Sequence, residues 1–140
     1  MNSVPELNLE NFNVYGQLTT DVNKEIENRK VDINNFSGLS FVLFYSKPCC
    51  KEYIKALEEI HSKIKPFKVY LYQTSKGTNS SIFSLKDAPY RIIGFPYVIT
   101  YYDGYFCSVY KPNNLPEPNK LFEEFVKFSN KITNLNSCKN

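Results

Sequence analysis

The chain has 140 residues, a length that fits one folded unit with one core. Hydrophobic residues make up 42% and charged residues 22%, which excludes a wholly disordered chain. The excess of Lys and Arg over Asp and Glu is 17 to 14. That excess is small, and the lysines are scattered, so composition points neither to nucleic acid nor to a membrane surface.

No apolar run is long enough to span a bilayer, and residues 1–17 lack the build of a secretion signal. These readings lead to the expectation of a cytoplasmic, reducing setting. There, four cysteines read as individual thiols and not as a disulfide framework. There are 11 Tyr, 11 Phe and no Trp, so the core is expected to be aromatic. The abundance of Asn, Lys, Ile, Tyr and Phe suits an AT-rich genome, such as that of a large DNA virus or certain protists, and with it a virion-associated setting.

Residues 4–37 are polar and mixed. A short helix from Asn23 to Arg29, capped by Asp21, is the one element expected there. The pattern sharpens at Phe41-Val42-Leu43-Phe44-Tyr45, an unbroken apolar run of the kind a strand buried on both faces shows. Ser46-Lys47-Pro48 breaks it. From Cys49 the period becomes helical, with Tyr53, Ile54, Leu57, Ile60 and Ile64 on one face, and Pro66 is expected to close the helix.

Phe67 to Tyr72 reads as a second strand, residues 73–81 as a loop, and residues 82–92 as a short helix interrupted by Pro89. Tyr97 to Tyr102 and Tyr105 to Tyr110 flank Asp103-Gly104, a hairpin signal. Residues 111–119 carry three prolines and read as an extended loop. Leu121, Phe122, Phe125, Val126, Phe128 and Ile132 mark a closing helix, and residues 134–140 a loose polar tail. Strand–helix–strand followed by a hairpin and a helix implies a mixed sheet flanked by helices, in a single domain over residues 1–140.

Two segments carry chemistry. A cysteine in the first turn of a helix meets free backbone N–H groups and the positive end of the helix dipole, which favour thiolate over thiol. Such a thiol can titrate well below its ordinary value of about 8.5. Cys49 and Cys50 are so placed, with Lys47 and Lys51 adding positive charge around Pro48. The second segment is Gly94-Phe95-Pro96, which leads into a strand. Proline is tolerated at a strand start, and X-Pro bonds are the ones able to be cis. A cis bond here would turn the Phe95 backbone outward, ready to pair with an extended peptide; an ordinary trans proline is the alternative.

Together these segments resemble the thioredoxin superfamily over residues 40–132. Phe41 to Cys50 with the following helix looks like its strand and redox turn, and Gly94-Phe95-Pro96 with Asp103-Gly104 looks like its cis-proline strand and hairpin. Tyr45-Ser46-Lys47-Pro48 is similar to the approach found in glutaredoxin-type members. The resemblance implies an α/β three-layer sandwich and thiol–disulfide exchange with a protein or glutathione disulfide. Cys49 and Cys50 would be the reactive residues, and Phe95 and Pro96 the substrate contacts.

The chain departs from the family in lacking two cysteines spaced by two residues. The motif's first position falls on Cys49, on Cys50, or, in a third register, near Ser46 or Lys47. Leu43 stands where thioredoxins bury an acid. A redox-inactive adaptor or structural component is therefore the competing reading. Cys107 reads as core and Cys138 as an idle thiol. His61 reads as a surface residue, so no metal or other cofactor is expected. A homodimer is left open.

Overall fold

The computed structural model describes residues 3–21 and 29–138. The helix expected from Asn23 to Arg29 lies largely across residues 22–28, outside the described residues.

Five strands form one sheet in the order β1-β3-β2-β4-β5. They are β1 (Glu6–Leu7), β2 (Leu39–Tyr45), β3 (Phe67–Gln73), β4 (Tyr97–Tyr102) and β5 (Tyr105–Tyr110). Strands β1, β3 and β2 run parallel, and β4 and β5 are antiparallel additions. Between β2 and β3 runs α1 (Lys51–His61), and α2 (Leu121–Ser129) closes the fold. A mixed sheet packed with helices is the α/β architecture read from the sequence, and among the described residues both α-helices lie on one face of it.

All seven residues of β2 are buried, because this central strand is covered on both faces. Its side chains alternate between two cores. On one face Phe41, Leu43 and Tyr45 pack with Val69, Leu71 and Val98 beneath Leu57 and Ile60 of α1 and Phe125 of α2. The Phe41 and Phe125 rings stack there at 3.8 Å. On the other face Val42 and Phe44 join Tyr72, Ile99 and Tyr101 against Phe12, Leu18, Ile82 and Tyr90. Among the described residues this second face is covered by loops and short 3-10 turns, not by an α-helix.

The second face keeps its aromatic core by pairing the polar ends of its side chains. The Tyr101 hydroxyl donates to the Tyr90 oxygen, and the Tyr90 hydroxyl donates to the Gly16 carbonyl at 2.9 Å. Gly16 has φ +73°, and a Cβ there would stand 2.6 Å from that hydroxyl. Glycine is therefore demanded twice over. The β4–β5 turn has positive φ at both Asp103 and Gly104, the backbone that a two-residue hairpin of right-handed twist requires.

Several expectations are corrected. Helix α1 ends at His61 and not at Pro66, and side chains just past its end take up carbonyls there. The Ser62 hydroxyl donates to the Glu59 carbonyl, and the Lys65 ammonium donates to those of His61 and Lys63. Ile64 therefore leaves the apolar face and is fully exposed. The turn of helix expected in residues 82–92 is a 3-10 segment at Gly77–Ser84, followed by irregular chain through Pro89.

The C-terminal tail is also built differently. Leu135–Cys138 forms a 3-10 turn, and Cys138 is disulfide-bonded to Cys107 of β5 with their Cα atoms 5.2 Å apart. These two residues are thus neither a lone core thiol nor an idle one. The link joins positions 31 residues apart, a pairing that spacing alone does not reveal.

Candidate functional site

The site begins where β2 ends. Tyr45 closes the strand, and its carbonyl accepts from both the Thr74 amide at 2.8 Å and the Thr74 hydroxyl at 3.1 Å. The chain then turns through Ser46, Lys47, Pro48 and Cys49. Two hydrogen bonds hold this turn: the Cys49 amide donates to the Ser46 carbonyl at 2.8 Å, and the Lys47 amide donates to the Ser75 hydroxyl at 3.2 Å. The Lys47–Pro48 peptide bond is cis.

Cys49 and Cys50 are disulfide-bonded to each other, which corrects their reading as individual thiols. Both are half-buried and pack against the core beneath α1. Cys50 is the N-cap of α1, with φ 82° and ψ 20°. That left-handed conformation is one that residues other than Gly seldom hold. No side chain caps the helix, so its first amides remain available at the disulfide. The Cys50 carbonyl accepts from the Ile54 amide at 3.0 Å and starts the helical ladder. Lys47 and Lys51, on either side of the pair, are exposed. Neither takes part in an ion pair among the described residues.

Sheet register brings the second sequence segment to the same end of the molecule. Phe44 is paired with Tyr97, so Pro96 continues the register beside Tyr45 and the turn that follows it. The Phe95–Pro96 bond is cis. Among the described residues, no loop or turn hydrogen bond uses the Phe95 backbone. The Phe95 side chain points away to an edge contact with Phe83, at 6.5 Å between ring centroids. Phe95 and Pro96 form one wall of an open groove of about 400 Å³, with Tyr53 of α1 and Pro112 and Leu115 completing it. The Tyr53 hydroxyl donates to the Pro116 carbonyl at 2.8 Å and ties the proline-rich loop to α1.

Sequence reasoning singled out the cysteines and the proline, and the structure places them at one end of the sheet. It placed Tyr53 only on a helix face and residues 111–119 only in a loop. The clue available was the run of prolines, which favours an extended, pre-ordered wall.

Leu43 is buried, so no acid lies at that point beneath the pair. At the end of the same strand the Tyr45 hydroxyl reaches β1 and β3 instead, donating to Glu6 at 2.9 Å and to the Gln73 side-chain oxygen at 3.3 Å. Burial, followed by the Glu6 carboxylate, pushes this phenol up to about 12. It is therefore a neutral donor at physiological pH. Among the described residues no group of His, Cys, Asp and Glu side chains could hold a metal ion. No helix among them is long and apolar enough to cross a membrane.

No protein-family model matches the chain, and no curated protein matches it. Solved structures do. The zinc-bound form of human ERp44 matches 92% of this chain with 33% of its own length, at a TM-score of 0.54 and 13% identity. A crystal form of human ERp44 matches 91% of this chain with 30% of its own, at 0.52 and 14%. The first two thioredoxin domains of Naumovozyma dairenensis Eps1p match 71% of this chain with 36% of theirs, at 0.50 and 21%. The chain thus spans about a third of the length of these structures. At these identities the likeness is one of fold, and the fold is thioredoxin-like.

Proposed function

We propose that this thioredoxin-like domain performs thiol–disulfide exchange through the Cys49–Cys50 pair. The observation that carries the proposal is the position of a half-buried disulfide at the uncapped N-terminus of α1, at the sheet end shared with Phe95 and Pro96. In one direction a client thiolate attacks one sulfur of the pair. A client–protein disulfide forms, the Cys49–Cys50 bond breaks, and its electron pair leaves on the other cysteine. The amides and dipole of α1, with Lys47 and Lys51, favour that leaving thiolate. A second client thiolate then attacks the client sulfur of the mixed disulfide. The client gains a disulfide and the protein gains two thiols. In reverse, the reduced pair reduces a protein or glutathione disulfide. The unused backbone groups of Phe95 suit pairing with an extended client beside the cysteines.

The Cys107–Cys138 disulfide supports a working environment in which crosslinks persist. In a cytoplasmic setting that buried pair would have to resist the thiol pool.

One observation favours an adaptor as a second reading. The cysteines are adjacent, without the two-residue spacing of a dithiol cycle, while the groove beside Pro96 is intact. An assembly role, including virion packaging, belongs to that reading. Turnover of insulin or glutathione disulfide, with dithiothreitol as donor, separates the two. Exchange predicts turnover that disappears in the Cys49→Ser/Cys50→Ser double variant. Turnover that survives the double substitution places the chemistry elsewhere.

A further inference from the structure

Next to the groove lies a separate cavity of about 450 Å³, within the size range of small-ligand clefts. It is formed by the irregular segment that replaces a helix on the second face of the sheet. Phe83, Tyr90 and Ile92 give it apolar walls, and Lys86 and Arg91 give it two cations. The cavity and the groove are neighbours. Ile92 of the one is followed by Ile93 of the other, and the Phe83 ring meets the Phe95 ring edge-on.

Two features at this junction call for an occupant. First, Phe83, Ile93 and Phe95 are 53%, 67% and 40% exposed. Single exposed apolar residues are ordinary, but three adjoining ones beside a cleft mark a contact surface. Second, neither Lys86 nor Arg91 has an ion pair among the described residues. Asp87 lies on the same segment but does not line the cavity. The lining charge is therefore positive and without an ion-pair partner among the described residues, beside the apolar side chains of Phe83 and Ile92.

We infer that this cavity docks a client polypeptide through a bulky apolar side chain followed by acidic residues, a few positions from the part of the client in the groove. The apolar side chain covers Phe83 and Phe95, and the carboxylates face Lys86 and Arg91. This deepens the exchange reading by naming the client class: extended, apolar and acidic. It rests on that reading only for what happens at the cysteines.

The test is calorimetric titration of the oxidised protein with cysteine-free peptides. One has the sequence Gly-Ser-Phe-Asp-Asp-Ser-Gly, a second has Lys for both Asp, and a third has Ala for Phe. An exposed ion pair is worth up to about fivefold in affinity, so exchanging two acids for two lysines should weaken binding about tenfold. Losing the aromatic ring should cost about tenfold or more. The Lys86→Glu/Arg91→Glu double variant, altered only at exposed positions, should reverse the preference between the acidic and basic peptides.

Equal binding of the acidic and basic peptides, or a preference unmoved by the double variant, overturns the inference. So does self-association of the chain through this face, seen as concentration-dependent sedimentation that Phe83→Ser abolishes. The peptides carry no thiol, so the two readings fail separately. Absent peptide binding with intact disulfide turnover removes only the docking site. Intact binding without turnover removes only the exchange.

Discussion

The molecule holds two disulfides that make opposite use of the same bond. Cys107–Cys138 joins residues 31 positions apart, with both partners buried, and fastens the chain end to β5. Cys49–Cys50 joins neighbours, and both partners are half-buried. Crosslinking distant residues removes many conformations from the unfolded chain, whereas crosslinking neighbours removes few. The first link is therefore a stabiliser and the second is available for chemistry. Register separates them: Cys107 lies beyond Tyr110 and Val98 along the sheet, while the vicinal pair lies past Tyr45 at the opposite end of β2. At about 3.3 Å per residue they are roughly 15 Å apart along the strands, too far for direct exchange.

The largest contrast is expected from removing the vicinal pair. Cys49→Ser/Cys50→Ser should abolish disulfide turnover and cost about 1 kcal/mol of unfolding free energy, because the pair is only half-buried and closes almost no loop. Removing the other pair should do the reverse. Loop-closure entropy for a 31-residue separation gives a loss of about 3.7 kcal/mol in Cys107→Ser/Cys138→Ser. For a chain of this size that is roughly 13 °C in melting temperature. Equal destabilisation by the two double variants would break the comparison.

Alkaline pH should act on both regions together. Tyr45 precedes the vicinal pair and Tyr110 ends the strand that carries Cys107. Burial, with Glu6 at one and Glu124 at the other, pushes both phenols up to about 12. In each case folding favours the protonated form. The stability this represents is complete below the unfolded phenol value of about 10 and is lost as pH rises towards about 12. Chemical denaturation followed with tyrosinate absorbance should show stability falling through that window, and a flat profile would contradict it. A local effect should come from Tyr45→Phe, which removes the hydrogen bonds to Glu6 and Gln73 and should cost about 1 kcal/mol in a urea titration.

The regular parts of this design were legible in the sequence because each has a local pattern: a run, a turn pair or a helical period. The apolar run at Phe41 to Tyr45, the hairpin around Asp103-Gly104 and the face of α2 at Leu121 and Phe125 all correspond to elements of the structure. What was missed is either too short to have a period or depends on contacts distant in sequence. Strand β1 is two residues long and exists because it pairs with β3. Helix α1 ends at His61, where Ser62 and Lys65 take up carbonyls, and not at Pro66. At the site, the cysteines and Pro96 announce themselves by type, but Tyr53 becomes a groove wall only after β2 and β4 are in register. The pairing of Cys107 with Cys138 needed the tail to fold back, which no local pattern encodes.

The most direct measurement is brief, limited reduction followed by alkylation and mass-spectrometric mapping of the folded protein. The account predicts label on Cys49 and Cys50 while Cys107 and Cys138 remain joined. Label arriving first on Cys107 and Cys138, with the vicinal pair untouched, would contradict it.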